Sequence, residues 1–142
     1  MEHSNVKLKK LFIVVIDDSP TVCRLLEAIL TREGHQVTWF QDSVGALRSI
    51  KKGETPLPDL LFVDVNIPLI DGYEVAKFFK GNPASRHIPI IMISRWDDVI
   101  SHLKARLAGA HAYLAKPFQA QDVIALVQPF TTFPNANPPE NN

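Results

Sequence analysis

The sequence predicts a doubly wound α/β fold, one domain in which a parallel sheet is covered on both faces by helices. Three observations predict it. Short apolar runs alternate five times with segments of helical period, an order that argues for successive βα units. The strongest runs are continuously apolar, as strands buried on both faces must be. A chain of 142 residues, 46% of them hydrophobic, closes one core and has no material for a second.

Residues 11–16 are the first apolar strand, and Ser19-Pro20 then supplies an N-cap and a first-turn proline for a helix. Val22, Leu25, Leu26 and Ile29 recur on it at helical spacing, and Gly34 follows its end. Residues 36–40 form a weaker strand, followed by a helix on Val44, Leu47 and Ile50 that closes at Lys51-Lys52-Gly53. A loop over 54–58 carries two prolines and leads to the second strongly apolar strand, 60–65. After the turn residues Asp71-Gly72, the residues Val75, Phe78 and Phe79 mark a third helix. A loop at 82–85 precedes a buried strand at 88–93, and a helix over 97–107 follows on Ile100, Leu103 and Leu107, with Gly109 beyond. A short strand, 111–114, leads past Lys116-Pro117 into a last helix on Val123, Leu126 and Val127. The right-handed crossover rule leaves few topologies for five such units, of which the flavodoxin-like order 2-1-3-4-5 is the commonest. From Thr131 onward the chain is rich in Pro and Asn without periodicity, the composition of a disordered tail or the start of a linker. The expected division is an N-terminal extension at 1–9, the domain at 10–130, and this tail at 131–142.

Composition excludes several classes of function. Lys plus Arg, 15, balance Asp plus Glu, 15, so no global field draws the chain onto nucleic acid or an anionic membrane, and no direct nucleic-acid partner is expected. The apolar runs are far shorter than the roughly 20 residues of a membrane-spanning helix, and the start of the chain lacks a signal-peptide pattern. Cys23 is the only cysteine, so neither a disulfide framework nor a multi-cysteine metal site can form within one chain, which fits a reducing cytoplasm. His35, His87, His102 and His111 have no spacing that suggests zinc and are read as surface or packing residues.

Open α/β sheets bind ligands beyond the carboxyl ends of the strands, where strand order reverses. For order 2-1-3-4-5 that point lies between strands one and three. The first strand ends in Asp17 and Asp18, and the third carries Asp64 near its end. At about 4 Å and an effective dielectric near 20, each pair of carboxylates repels by roughly 4 kcal/mol, so a cation or a proton is required there. Oxygen donors with room for water suit Mg²⁺. Ser94 closes the fourth strand with a hydroxyl, and Lys116 follows the fifth with a positive charge. A metal, a hydroxyl, a lysine and backbone N–H groups around one carboxylate are what phosphoryl transfer needs, because its transition state is stabilised by positioning and electrostatics. Asp64 is then the nucleophile. Each element alone has an ordinary explanation: a helix start, a turn, a solvated loop. Four of five strands ending in complementary groups is the informative feature.

These residues resemble the response regulator receiver domain family, in its CheY-like, stand-alone form. The resemblance rests on the acidic pair in IDDSP, the aspartate in LFVDVNIPLIDGYE, the hydroxyl in IIMIS and the lysine in YLAKPF, and it covers residues 10–130. It implies that Asp17, Asp18, Asp64 and the backbone carbonyl of Asn66 hold Mg²⁺, that Asp64 accepts the phosphoryl group, that Lys116 pairs with it, and that Ser94 moves to hydrogen-bond it. Tyr113 matches the family's aromatic switch. It further implies a sensor histidine kinase or phosphotransfer protein as donor, a downstream protein target on the surface of helix four, strand five and helix five, a phosphorylation-dependent dimer as one outcome, and a bacterial, cytoplasmic setting.

Three positions depart from the family's pattern. Arg95 follows Ser94 where a small residue is usual, and Trp96 comes next, so both are expected to modulate access to the phosphoryl group. Ile67 stands where methionine is common before Pro68, a packing-neutral change. Two other functions compete. A phosphohydrolase forming an aspartyl phosphate would place its second aspartate two residues beyond the nucleophile on strand one, whereas the aspartates here are adjacent. A phosphorylation-independent interaction module would bind its partner regardless of Asp64.

Overall fold

A computed structural model of the chain describes residues 8–132. The strands are β1 (Phe12–Ile16), β2 (Gln36–Phe40), β3 (Leu60–Asp64), β4 (Ile90–Ser94) and β5 (Ala112–Ala115). They alternate with α1 (Pro20–Arg32), α2 (Ser43–Lys51), α3 (Gly72–Gly81), α4 (Val99–Leu107) and α5 (Ala120–Val127). All pairings are parallel and the order is β2-β1-β3-β4-β5, the flavodoxin-like order expected. Most of the extension expected at 1–9 and of the tail expected at 131–142 lies outside the described residues. At their inner edges Leu8 and Thr132 form an antiparallel bridge, and Thr131 is buried.

Alternation along the central strands divides the core in two. Val14, Ile16, Leu61, Val63, Ile90 and Met92 face α2, α3 and α4, meeting Leu47, Val75, Phe79 and Ala105. Ile13, Val15, Phe62, Ile91 and Ile93 face α1 and α5, meeting Leu26, Leu30, Val123 and Val127. Each fully buried side chain of this size contributes about 1.5–3 kcal/mol. Cys23 is buried among the second group, as its helical register suggests.

Caps fix where the helices begin. Ser19 accepts the Val22 N–H with Pro20 at the first helical position, and Asp71 with Glu74 forms a capping box on α3. The Asp71-Gly72 pair is therefore a helix start as much as a turn. The fourth strand begins two residues later than its apolar run, because Ile88 spends its N–H on the Ser85 carbonyl and Pro89 has none.

On α4 the expected apolar stripe points outward. Ile100, Leu103 and Leu107 are 66%, 49% and 77% exposed, and the helix meets the core through Ala105, with Ala108 just beyond its end. Helical period identifies an apolar face but not its direction, and here two alanines allow the closer approach. Leu25 on α1 is likewise exposed, with Cys23 and Leu30 inside instead.

Candidate functional site

Strand register places the chemistry at one level. Ile16 pairs with Val63, so Asp17 and Asp64 leave their strands side by side, and Ser94 pairs with Ala115 immediately before Lys116. Asp17, Asp18 and Asp64 each offer a carboxylate oxygen, and these lie within 4.8 Å of one another. Asp17 is fully buried and Asp64 nearly so, while Asp18 is exposed. The structure thus brings together all three carboxylates predicted from the sequence.

Lys116 Nζ sits between two of them, donating to Asp64 Oδ2 at 2.9 Å and lying 3.0 Å from Asp17 Oδ2. The second contact is an ion pair, and among the described residues Lys116 is the one polar partner of the buried Asp17 Oδ2. Asp17 Oδ1 accepts the Ser19 N–H at 2.9 Å, and Asp64 Oδ1 accepts the Asn66 N–H at 2.9 Å. Burial, joined by the charge of Asp64, pushes Asp17 up to about 6 despite the Ser19 bond and Lys116. Burial alone would lower Lys116, but its bonds to Asp64 and Asp17 raise it. The Cys23 thiol lies beneath, donating to the Asp17 carbonyl at 3.2 Å, and burial pushes it up to about 12, so it is inert as a nucleophile.

This donor set fits a divalent cation. Three hard oxygens converge, one cation, Lys116, serves two of the carboxylates, and the open side at Asp18 leaves room for water. The β3–α3 loop that frames it bends tightly: Leu69 has φ 74° and the Ile70 N–H bonds the Pro68 carbonyl at 3.0 Å, a strained γ-turn with the leucine side chain in solvent. Gly72 closes the loop against β3, where a Cβ would stand 2.5 Å from the Asp64 carbonyl oxygen.

Ser94 is buried, and its Oγ accepts the Trp96 N–H at 3.0 Å. The Tyr113 hydroxyl donates to the Trp96 carbonyl. Trp96 therefore links the predicted hydroxyl to the predicted switch residue through its backbone, a role that its side chain does not signal in the sequence. The indole is 62% exposed and Arg95 is exposed. His102 stacks on Tyr113 with ring centroids 4.0 Å apart and bonds Asp97, and neither residue stood out in the sequence.

Comparison with known proteins agrees with this arrangement. The chain is 34% identical to Protein PilG of Pseudomonas aeruginosa over 128 residues, covering 90% of each. It spans less than half the length of several longer relatives that it also matches. A crystal structure of a putative response regulator from Chloroflexus aurantiacus superposes with a TM-score of 0.79 at 34% identity, over 86% of this chain and 98% of that one. The receiver domain of the sensor histidine kinase PA1611 from Pseudomonas aeruginosa, solved with a magnesium ion coordinated in its active-site cleft, superposes at 0.73 with 25% identity, over 85% and 97%. The profile of the response regulator receiver domain matches residues 13–128, and with the acidic pocket, the lysine and the strand order in place, the chain belongs to that family of two-component signalling phosphoacceptors.

Proposed function

We propose that Asp64 is the phosphoacceptor, that Mg²⁺ is held by Asp17, Asp18, Asp64 and the Asn66 carbonyl, and that modification switches the surface of α4, β5 and α5. The observation that carries this is Lys116 Nζ poised between Asp64 Oδ2 and Asp17 Oδ2 where three carboxylates converge. A carboxylate oxygen of Asp64 attacks phosphorus, the P–N bond of a donor phosphohistidine breaks, and the imidazole leaves with a proton from solvent. Mg²⁺ bound to the carboxylates supplies charge neutralisation for the incoming phosphoryl oxygens. Lys116 then exchanges its bond to Asp64 for one to the phosphoryl group, and Ser94 turns its hydroxyl toward the same oxygens.

The donor is a sensor histidine kinase or phosphotransfer protein, and the target is a protein that docks on the α4-β5-α5 face. Outward-facing Val99, Ile100, Leu103 and Leu107 support that docking. Among the described residues no helix is long and apolar enough to cross a membrane. We place the protein in the cytoplasm, acting on its own phosphoryl group and turning over no external substrate.

The test is incubation with acetyl phosphate and Mg²⁺, followed by intact mass. Wild type should gain one phosphoryl group, and Asp64→Asn or chelation should abolish the gain. Modification that persists in Asp64→Asn would reassign the acceptor. Steady turnover of acetyl phosphate at rates unrelated to the lifetime of the modified protein would favour the phosphohydrolase.

A further inference from the structure

The α4 helix is held to the sheet by few contacts. Its one buried residue is Ala105, and a cleft of about 550 Å³ opens between it and β5, lined by His102, Leu103, Arg106, His111 and Tyr113 among others. Beside this cleft the Tyr113 ring is fixed at both ends. Its hydroxyl bonds the Trp96 carbonyl, and its face lies against the His102 imidazole, 4.0 Å between centroids at 35°. The imidazole is fixed in turn, because Nε2 stands 2.6 Å from Asp97 Oδ1, just ahead of the helix. A carboxylate oxygen can only accept, so the ring donates from Nε2–H.

We propose that His102, anchored by Asp97, is a positioning residue that holds Tyr113 on the Trp96 carbonyl before any phosphoryl group arrives. The link to switching rests on the phosphoacceptor reading above; the latch itself is a property of the unmodified protein. Trp96 ties the two together, since its N–H bonds Ser94 Oγ while its carbonyl receives Tyr113. A ring already held there leaves phosphorylation less to change, so the latch sets the basal population of the switched surface. Without His102, the adjacent cleft gives Tyr113 room to swing away from Trp96.

The test uses the full chain with ¹³C-labelled tyrosine. There are two tyrosines, so Tyr73→Phe leaves Tyr113 as the reporter. Ring spectra are compared for His102→Ala, Asp97→Ala and Asp97→Asn in this background, with and without beryllofluoride and Mg²⁺. In the unmodified protein, His102→Ala should displace or broaden the Tyr113 signal. Asp97→Ala should do so to a lesser degree, and Asp97→Asn, which keeps an acceptor oxygen, should resemble the parent. Beryllofluoride should then move the Tyr113 signal of His102→Ala severalfold further than that of the parent, back toward the parent position. Because loss of the imidazole ring current shifts the Tyr113 signal by itself, the latch is overturned if Asp97→Ala leaves that signal unchanged in the unmodified protein, or if beryllofluoride moves it no further in His102→Ala than in the parent. Amides around Asp64 report separately whether beryllofluoride binds, so failure of the phosphoacceptor reading is seen there while the unmodified spectra still decide the latch.

Discussion

Lys116 contacts Asp64 across 52 positions of chain, with Nζ 2.9 Å from Oδ2, and the same nitrogen is the counter-ion of buried Asp17. One cation thus compensates two carboxylates. Lys116→Ala leaves them facing each other in a buried setting, where removal of one partner typically costs about 3–5 kcal/mol. We expect a loss near the lower end of that range at neutral pH, because Asp18 opens the site to water. Added Mg²⁺ should recover part of it, as read by urea denaturation.

Asp17 makes stability depend on pH in a direction opposite to most carboxylates. Its folded pKa lies above its unfolded value, so between roughly pH 4 and pH 6 the folded chain holds a proton that the unfolded chain releases. Stability in that window therefore falls as pH rises, by at most roughly 3 kcal/mol for a shift of this size. Asp17→Asn should flatten this dependence and stabilise the metal-free protein at neutral pH while removing its response to Mg²⁺. Equal Mg²⁺ stabilisation of wild type and variant would take Asp17 out of the metal site.

Gly72 joins stability to the acceptor strand. A methyl group there meets Asp64 oxygen at 2.5 Å and Val65 Cα at 2.8 Å, both backbone, so β3 or the start of α3 must shift. Gly72→Ala should cost about 1–3 kcal/mol in thermal denaturation and slow phosphorylation from acetyl phosphate. Gly81→Ala, with open space at its Cβ, is the control that should do neither.

Trp96 is expected to bear on how long a phosphoryl group persists. Hydrolysis needs water in line with the breaking bond, and a large side chain at the rim obstructs that approach. Trp96→Ala should lose phosphate faster in excess Mg²⁺, a tenfold change corresponding to about 1.4 kcal/mol of barrier. Arg95→Ala separates bulk from charge. Identical first-order rates in all three proteins would eliminate the shield.

Strand ends were legible because burial and chemistry coincide there: continuous apolar runs stop at Asp17, Asp64 and Ser94, and helical segments follow each. The strand order agrees with the commonest solution, although no residue pattern specifies it. What stayed hidden depends on direction or on backbone. The outward turn of Ile100, Leu103 and Leu107 is set by how closely Ala105 approaches the sheet, which periodicity does not encode. The γ-turn at Leu69 occupies a conformation that favours glycine, so the residue type points away from it. Trp96 acts through its N–H and carbonyl, and every residue except proline has both.

The register that aligns the site has a consequence for synthesis. Its groups sit at the ends of four separate strands, and Lys116 directly follows the last of them to leave the ribosome. Until β5 docks on β4, the carboxylates lack their lysine and the acceptor lacks its partner. With Lys116 as the partner of the acceptor, competence to receive a signal is expected to await the last strand, and phosphoryl uptake during refolding should trail its joining.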